Sequence, residues 1–386
     1  MPYVEWVAIF AIANVLGRKV YGQNTRGTTF PNLYVMMVGP PGTGKTEAES
    51  LIRGFLIDSG VPQCAQHVSK ASLIDELKNG KRQLNINNNL FEYHQLCLLS
   101  SEFVETFPAY DIHLLGTLAH WWDCPREVKE NKRHLKEQIY IKDIVCSIMT
   151  GIQPGLLTHS FPAEAWSGGF LARTIMVYVP QKIELLLRAR GKDSMTTFGR
   201  KIPKEIYGDL SQRLGVISKM YGCMDEDETF VDEYLKWREA GRLPRPKHPR
   251  LTYYNDRREH QLEKLSIIAA ASRGSMVLTG ADYRTARAWL ESAEGNLDDI
   301  FVEMSSGDDM QLMQDMHSYI SKVAKGPNVM IREAVVHRYL TGRVATQRID
   351  SFLETAMRAG FIKRELDPKG FHAIAACVLE EFSSGF

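Results

Sequence analysis

LYVMMVGPPGTGKT, Leu33 to Thr46, decides how this chain folds. Leu33 to Val38 is a short unbroken apolar run bounded by turn residues, the pattern of a strand buried on both faces. It stops at Gly39-Pro40-Pro41-Gly42, and Lys45 and Thr46 open a run of good helix formers, EAESLIRGFL, Glu47 to Leu56. The spacing of Gly39, Gly44, Lys45 and Thr46 is that of a phosphate-binding loop. Glycines let backbone N–H groups close around phosphate oxygens, and the helix N-terminus adds the positive end of its dipole. Gly39, Pro40, Pro41, Gly42, Thr43, Gly44, Lys45 and Thr46 are therefore the expected nucleotide cradle, with Lys45 on the β- and γ-phosphates and Thr46 on Mg²⁺. A chance Gly/Pro turn is the competing reading, and the strand before it and the helix after it weigh against that. ATP and Mg²⁺ are the expected ligands.

The 386 residues leave room for two or three domains. A net charge of +1 excludes a polycation, so any nucleic-acid contact must come from local basic patches. Cys64, Cys97, Cys124, Cys146, Cys223 and Cys377 include no CxxC pair and no His at finger spacing, which argues against structural zinc and fits buried free thiols in a reducing, cytoplasmic setting. The apolar opening PYVEWVAIFAIANVLGRKV is broken by Glu5 and Asn14 and is too short to span a bilayer. It also lacks the basic start and cleavage site of a signal peptide. It is expected as an amphipathic helix lying on the nucleotide-binding core, with no membrane partner.

Strands alternating with helices up to about residue 200 predict an α/β fold with a parallel sheet. After the polar loop Tyr21 to Asn32 and the phosphate-loop helix come expected strands at Ala65 to Val68, Gln95 to Leu99, Ile144 to Met149 and Thr174 to Val179. Residues 201–308 read as a helical lid, interrupted by the basic loop GRLPRPKHPR, Gly241 to Arg250, a solvated connector. Residues 309–386 read as helix, helix, turn, helix and a hairpin around Asp367 to Gly370, the order of a winged helix-turn-helix. Between Arg332 and Lys369, eight basic residues face five acidic ones. That surface suits DNA or a protein partner.

Hydrolysis needs an acid at the end of a neighbouring strand. LCLLSSE, Leu96 to Glu102, offers Glu102 as the water-activating base and Ser101 as a weaker Mg²⁺ contact where an acid pair would have two carboxylates. A Glu that merely caps a helix is the competing reading. At the end of the next strand, Thr150 or Gln153 is placed to sense the γ-phosphate. REVKENKRHLKEQIYIKD, Arg126 to Asp143, reads as a hairpin with Lys132, Arg133 and His134 at a basic tip suited to single-stranded phosphates, or else as a charged helix. Arg173, after Gly168-Gly169 and before the last core strand, is placed to act as an arginine finger or as a salt-bridge residue. Arg257, Arg258, Arg284 and Arg287 are candidates for a lid arginine.

PNLYVMMVGPPGTGKT, the strand ending at Glu102, the charged hairpin, TGIQPGLL and GGFLARTIMVYVP together resemble the AAA+ ATPase core of phage- and plasmid-type helicases, related to the minichromosome-maintenance and superfamily 3 helicases. The resemblance covers roughly residues 1–300, with Tyr254 to Ala270 resembling the lid. It implies an ATP hydrolase forming a homo-oligomer, a hexameric ring, that moves on single-stranded or forked DNA with other replication proteins. The missing second acid and the lack of a primase or origin-binding domain depart from the pattern. They leave a helicase, a helicase loader, and an initiator whose ATPase is an assembly switch as open readings; a small-molecule kinase gives a winged helix no role.

Overall fold

The computed structural model describes residues 2–377 apart from 26, 65–67, 87, 108–110, 133–136, 162–164, 167, 181–203, 327–328, 345 and 367–369. The chain divides into two compact units, 1–301 and 302–386.

The first unit opens with helix α1 (Pro2–Leu16). Tyr3, Trp6, Val7, Ile9, Phe10, Ala13 and Leu16 are all buried, so α1 lies on the core as expected but is enclosed rather than amphipathic. Its residues are apolar all round, and such a helix gains most by being enclosed. The stretch expected as a polar loop is a hairpin of β1 (Val20–Asn24) and β2 (Gly27–Thr29). Strand β3 (Tyr34–Val38) follows, buried at every position, then helix α2 (Lys45–Asp58) and helix α3 (Lys70–Asn79), whose Ser69 and Ser72 form a capping box.

Strand β4 (Lys81–Ile86) turns back antiparallel onto the long β5 (Asn89–Ser100), pairing Lys81 with His94. The strand expected at Ala65 to Val68 lies mostly outside the described residues; just before it, Gln63 bridges Cys97 in parallel. Short helix α4 (Phe103–Thr106) and helix α5 (Ile112–Trp122) lead to the antiparallel pair β6 (Glu127–Lys132) and β7 (Glu137–Lys142). Arg126 to Asp143 is therefore a hairpin rather than a helix. It feeds into β8 (Ile144–Ile152), helix α6 (Pro154–Ser160), the short helix α7 (Gly169–Ala172) and β9 (Thr174–Tyr178).

The central sheet has the order β4-β5-β8-β3-β9. Strands β5, β8, β3 and β9 are parallel, with Val38 level with Ile152 and Tyr178, and Ser100 level with Thr150. Their carboxyl ends therefore share one edge. The chain leaves β3, passes the positions of β8 and β5 to enter the edge strand β4, turns back into β5 and then fills β8 and β9 on either side of β3, so the strand order reverses beside β3. Ligands of open α/β sheets sit at such a switch, beyond the carboxyl ends.

The remaining elements of this unit are α8 (Lys204–Ile217), β10 (Gly222–Cys223), β11 (Asp225–Glu226), α9 (Glu228–Glu239), α10 (Thr252–Ser272), β12 (Val277–Leu278) and α11 (Gly280–Glu294). Trp237, Leu265, Ile268, Tyr283 and Leu290 share one apolar core with Val35, Met37, Met149 and Ile175 of the sheet. The helices expected as a separate lid at 201–308 thus belong, up to residue 301, to the same unit as the sheet. The opposite face of the sheet packs on α5, where the Tyr34 hydroxyl donates to Leu118 O at 2.7 Å. No helix among the described residues is long and apolar enough to cross a membrane.

The unit boundary falls inside helix α12 (Leu297–Ala324). The second unit adds β13 (Ile331–Arg332), α13 (Glu333–Leu340), α14 (Ile349–Arg358), β14 (Ile362–Leu366) and β15 (His372–Ala376), with an antiparallel sheet in the order β13-β15-β14. Val336, Leu340, Phe352, Leu353, Ile362 and Ile374 form its core with Met316 and Ile320.

Candidate nucleotide site

The loop between β3 and α2 bends through left-handed backbone at Gly42 (φ 82°) and Gly44 (φ 87°), where a side chain would be strained. Gly39 is required for space: a Cβ there would lie 2.5 Å from the Tyr3 hydroxyl and 2.8 Å from both Thr43 Oγ1 and Val179 O. Tyr3 itself donates to the Val38 carbonyl, so α1 braces the start of the loop. The Thr43 hydroxyl closes the turn onto Pro40 O at 2.9 Å. Lys45 curls over the loop, its ammonium donating to Gly39 O at 2.6 Å and Pro40 O at 3.2 Å. Thr46 is exposed in the first turn of α2, free to face a metal ion.

At the same edge, β5 ends at Ser100 and the chain turns through Ser101 and Glu102. The Ser100 hydroxyl bonds Thr106 and donates to Glu102 O at 3.0 Å, holding this turn. Glu102 occupies the N-cap position of α4, yet its side chain makes no capping bond. Its Oε2 is buried and has no hydrogen-bond partner among the described residues. Burial raises the Glu102 pKa, and nearby Lys45 opposes the rise; burial lowers the Lys45 pKa, and Glu102 opposes that. The two side chains therefore stabilise each other's charge across the mouth of the loop.

Gly151 of β8 lets the three segments meet. A Cβ there would overlap the Ser101 carbonyl oxygen and stand 3.2 Å from Lys45 Cδ. Because side chains alternate along a strand, Thr150 points to the other face, where it is buried, its hydroxyl 3.5 Å from Gly151 O. Gln153, half-buried at the N-cap of α6, is the polar residue that stands at the loop edge. Lys45, Ser101, Glu102 and Gly151 are brought together; Thr150 is turned away from them.

Arg173 is not at this edge. Thr174 pairs with Tyr34, so Arg173 sits at the amino end of the strands. It is 8% exposed, and its guanidinium donates to Asp123 Oδ2 at 2.8 Å and Gly169 O at 3.0 Å. Of the lid candidates, Arg258 is buried in a two-pronged pair with Glu294 (2.7 and 2.8 Å) and donates to the Arg242 and Pro244 carbonyls, holding part of the basic loop. Arg284 pairs with Glu233 and Arg287 with Glu291. The hairpin starts from the same amino edge, where Arg18 binds Asp143 at 3.0 Å and the Ile144 carbonyl at 2.6 Å. At its tip, Arg133 and His134 lie outside the described residues, and Lys132 is described only as backbone.

Tyr3 and Ser100 escape a reading by motif: one is far from the loop in sequence, the other is an ordinary hydroxyl. The serine's place directly before Ser101-Glu102 was the only signal. No protein-family model and no curated protein matches this chain.

Proposed function

We propose that this chain is an ATP-hydrolysing DNA motor of the AAA+ kind, a hexameric ring helicase of phage or mobile-element replication that translocates on single-stranded DNA. The observation that carries the reading is the unpartnered Glu102 carboxylate oxygen held beside Lys45 at the open end of the glycine loop. Burying a carboxylate oxygen without a partner is costly, and Glu102 carries the one such carboxylate oxygen among the described residues, so the position suits a ligand. The loop, Lys45, Thr46 and Ser101 fit a nucleoside triphosphate with Mg²⁺. Thr46 and Ser101 would hold the Mg²⁺, which would supply charge neutralisation at the phosphates. Lys45 exchanges two loop carbonyls for phosphate oxygens, the glycine loop supplies N–H donors, and Glu102 accepts a proton from water.

Three further features support the motor reading. The strand order puts β8 between the phosphate-loop strand and the acidic strand, so the ends of all three strands adjoin the loop. A hairpin stands immediately before β8. The second unit runs α12, β13, α13, α14 and then the β14–β15 pair, an order that supports the winged-helix reading. A loader or initiator switch is the second reading, favoured by Ser101 standing where a second carboxylate would speed turnover.

Lys45→Ala is expected to lose ATP binding, because nothing else in the loop carries the cation. Glu102→Gln is expected to bind ATP and stop hydrolysing it. Nucleotide binding and ATPase rate, with and without single-stranded DNA, decide the matter. Wild-type turnover in Glu102→Gln would remove Glu102 as the base, and turnover indifferent to DNA would favour the switch.

A further inference from the structure

The two strands of the hairpin have unlike faces. Val128, Ile139 and Ile141 are buried, while Glu127, Lys129, Gln138, Tyr140 and Lys142 form the solvent face. Tyr140 is 46% exposed, and its register partner on β6 is Lys129. The ammonium groups of Lys129 and Lys142 lie 5.4 and 5.3 Å from the ring centroid. The Tyr140 hydroxyl donates to Glu127 Oε2 at 2.7 Å, which sets the orientation of the ring. Glu127 also pairs with Lys129 at 3.0 Å. One carboxylate thus stands against two ammonium groups, and among the described side chains of this face the balance is positive. Beside β6, an open groove of about 440 Å³ runs along α5 past Lys70, His113, Thr117 and His120.

An exposed ring bracketed by cations on a paired strand has the chemistry that holds single-stranded nucleic acid. A base stacks on the ring, and the phosphates on either side meet the ammonium groups. Exposed cation–π contacts are weak, so both lysines can leave the ring for phosphate at little cost. We propose that Tyr140, Lys129 and Lys142 form a base-stacking platform for single-stranded nucleic acid on the shaft of the hairpin, separate from its tip. The platform rests on the reading of the protein as a DNA motor. It gives that motor a grip on bases as well as on phosphates, and its stacking is tolerant of sequence.

The test uses the full chain with a slowly hydrolysed ATP analogue and fluorescence anisotropy of two labelled strands. One is oligo-deoxythymidylate; the other is an abasic strand of equal length and charge. The wild type is expected to prefer the base-bearing strand by about tenfold or more. Tyr140→Ala should erase the preference and Tyr140→Phe should keep it. Lys129→Gln with Lys142→Gln should weaken both strands alike and flatten the salt dependence. A preference that survives Tyr140→Ala overturns the platform and leaves the motor reading standing. An equal loss on both strands in Tyr140→Ala also overturns it, because the ring would then be supporting the hairpin. A wild type that binds neither strand brings down the motor reading and the platform together.

Discussion

At Gly151 the backbone of β8 lies so close to the turn carrying Glu102 that a single methyl group has no room. Gly151→Ala is therefore expected to push β8 away from Ser101 and to disturb Lys45, at a cost of about 1–3 kcal/mol or more for overpacking. Gly116 of α5 is the control: a Cβ there meets nothing within 4 Å. Gly116→Ala should be neutral or stabilising, by roughly 0.5–1 kcal/mol, since alanine suits a helix better than glycine. Thermal melting and ATPase rate, measured on both variants, check the claim. Equal behaviour of the two would mean that the Gly151 contact gives way freely. At this scale the sequence was legible where chemistry depends on spacing within one segment. Gly39 through Thr46 could be placed from their order alone, and Glu102 from the strand before it. Sequence alone left Thr150 and Gln153 as alternatives, because which face a strand residue occupies depends on its neighbours in the sheet. Tyr3 was missed because its contact with the loop is made only once α1 has packed.

Elements were legible where local pattern and burial agree. The buried run of β3 and the hairpin before β8 are of this kind. The β1–β2 hairpin and the antiparallel β4 were not, because polar strands such as KRQLNI become strands only through their partner. Helix α10 shows what tertiary context adds: its apolar residues announce a helix, but its buried polar ones fix where it docks. Lys264 is fully enclosed and donates to Phe30 O at 3.0 Å, Asn32 Oδ1 at 2.5 Å and Trp122 O at 3.4 Å. Gln261 donates to Arg173 O at 2.7 Å. Lys264→Met should destabilise the protein by about 1–3 kcal/mol, since the buried Phe30 carbonyl loses this donor, whereas Trp122 O keeps Asn32 Nδ2 and Asn32 Oδ1 keeps the Cys124 thiol. Burial lowers the Lys264 pKa from 10.5 to about 8. Between these values the unfolded chain binds the proton and the folded one does not, so this group's contribution to stability rises with pH across that window and is lost as pH falls through 8. The stability gap between wild type and variant in urea should therefore widen from pH 7.5 to about pH 9.5. A gap that does not change with pH would mean that Lys264 titrates normally.

For the whole molecule, the ring proposed above would require one protomer's site to be completed by a residue of another. A finger arginine acts on a neighbour's phosphates, yet in the protomer Arg173 is enclosed and paired with Asp123. The two roles predict different responses to removing each partner. If Asp123 only parks Arg173 until rings assemble, Asp123→Asn keeps turnover, because the arginine survives and is easier to release. Arg173→Ala then keeps nucleotide affinity but loses about 10³-fold or more in turnover, as loss of transition-state charge requires. Mixing Arg173→Ala with Lys45→Ala subunits restores some activity, since an interface with Lys45 from one protomer and Arg173 from the other is whole. If the pair is structural, Asp123→Asn leaves the enclosed guanidinium without its counter-charge and Arg173→Ala removes its bonds to Asp123 and the Gly169 carbonyl, so both variants lose stability and turnover together. Melting temperatures, single-variant ATPase rates and the mixing series separate the outcomes. Recovery on mixing with a stable Asp123→Asn places the finger in trans; loss in both single variants without recovery at any ratio assigns Arg173 to the protomer's own architecture.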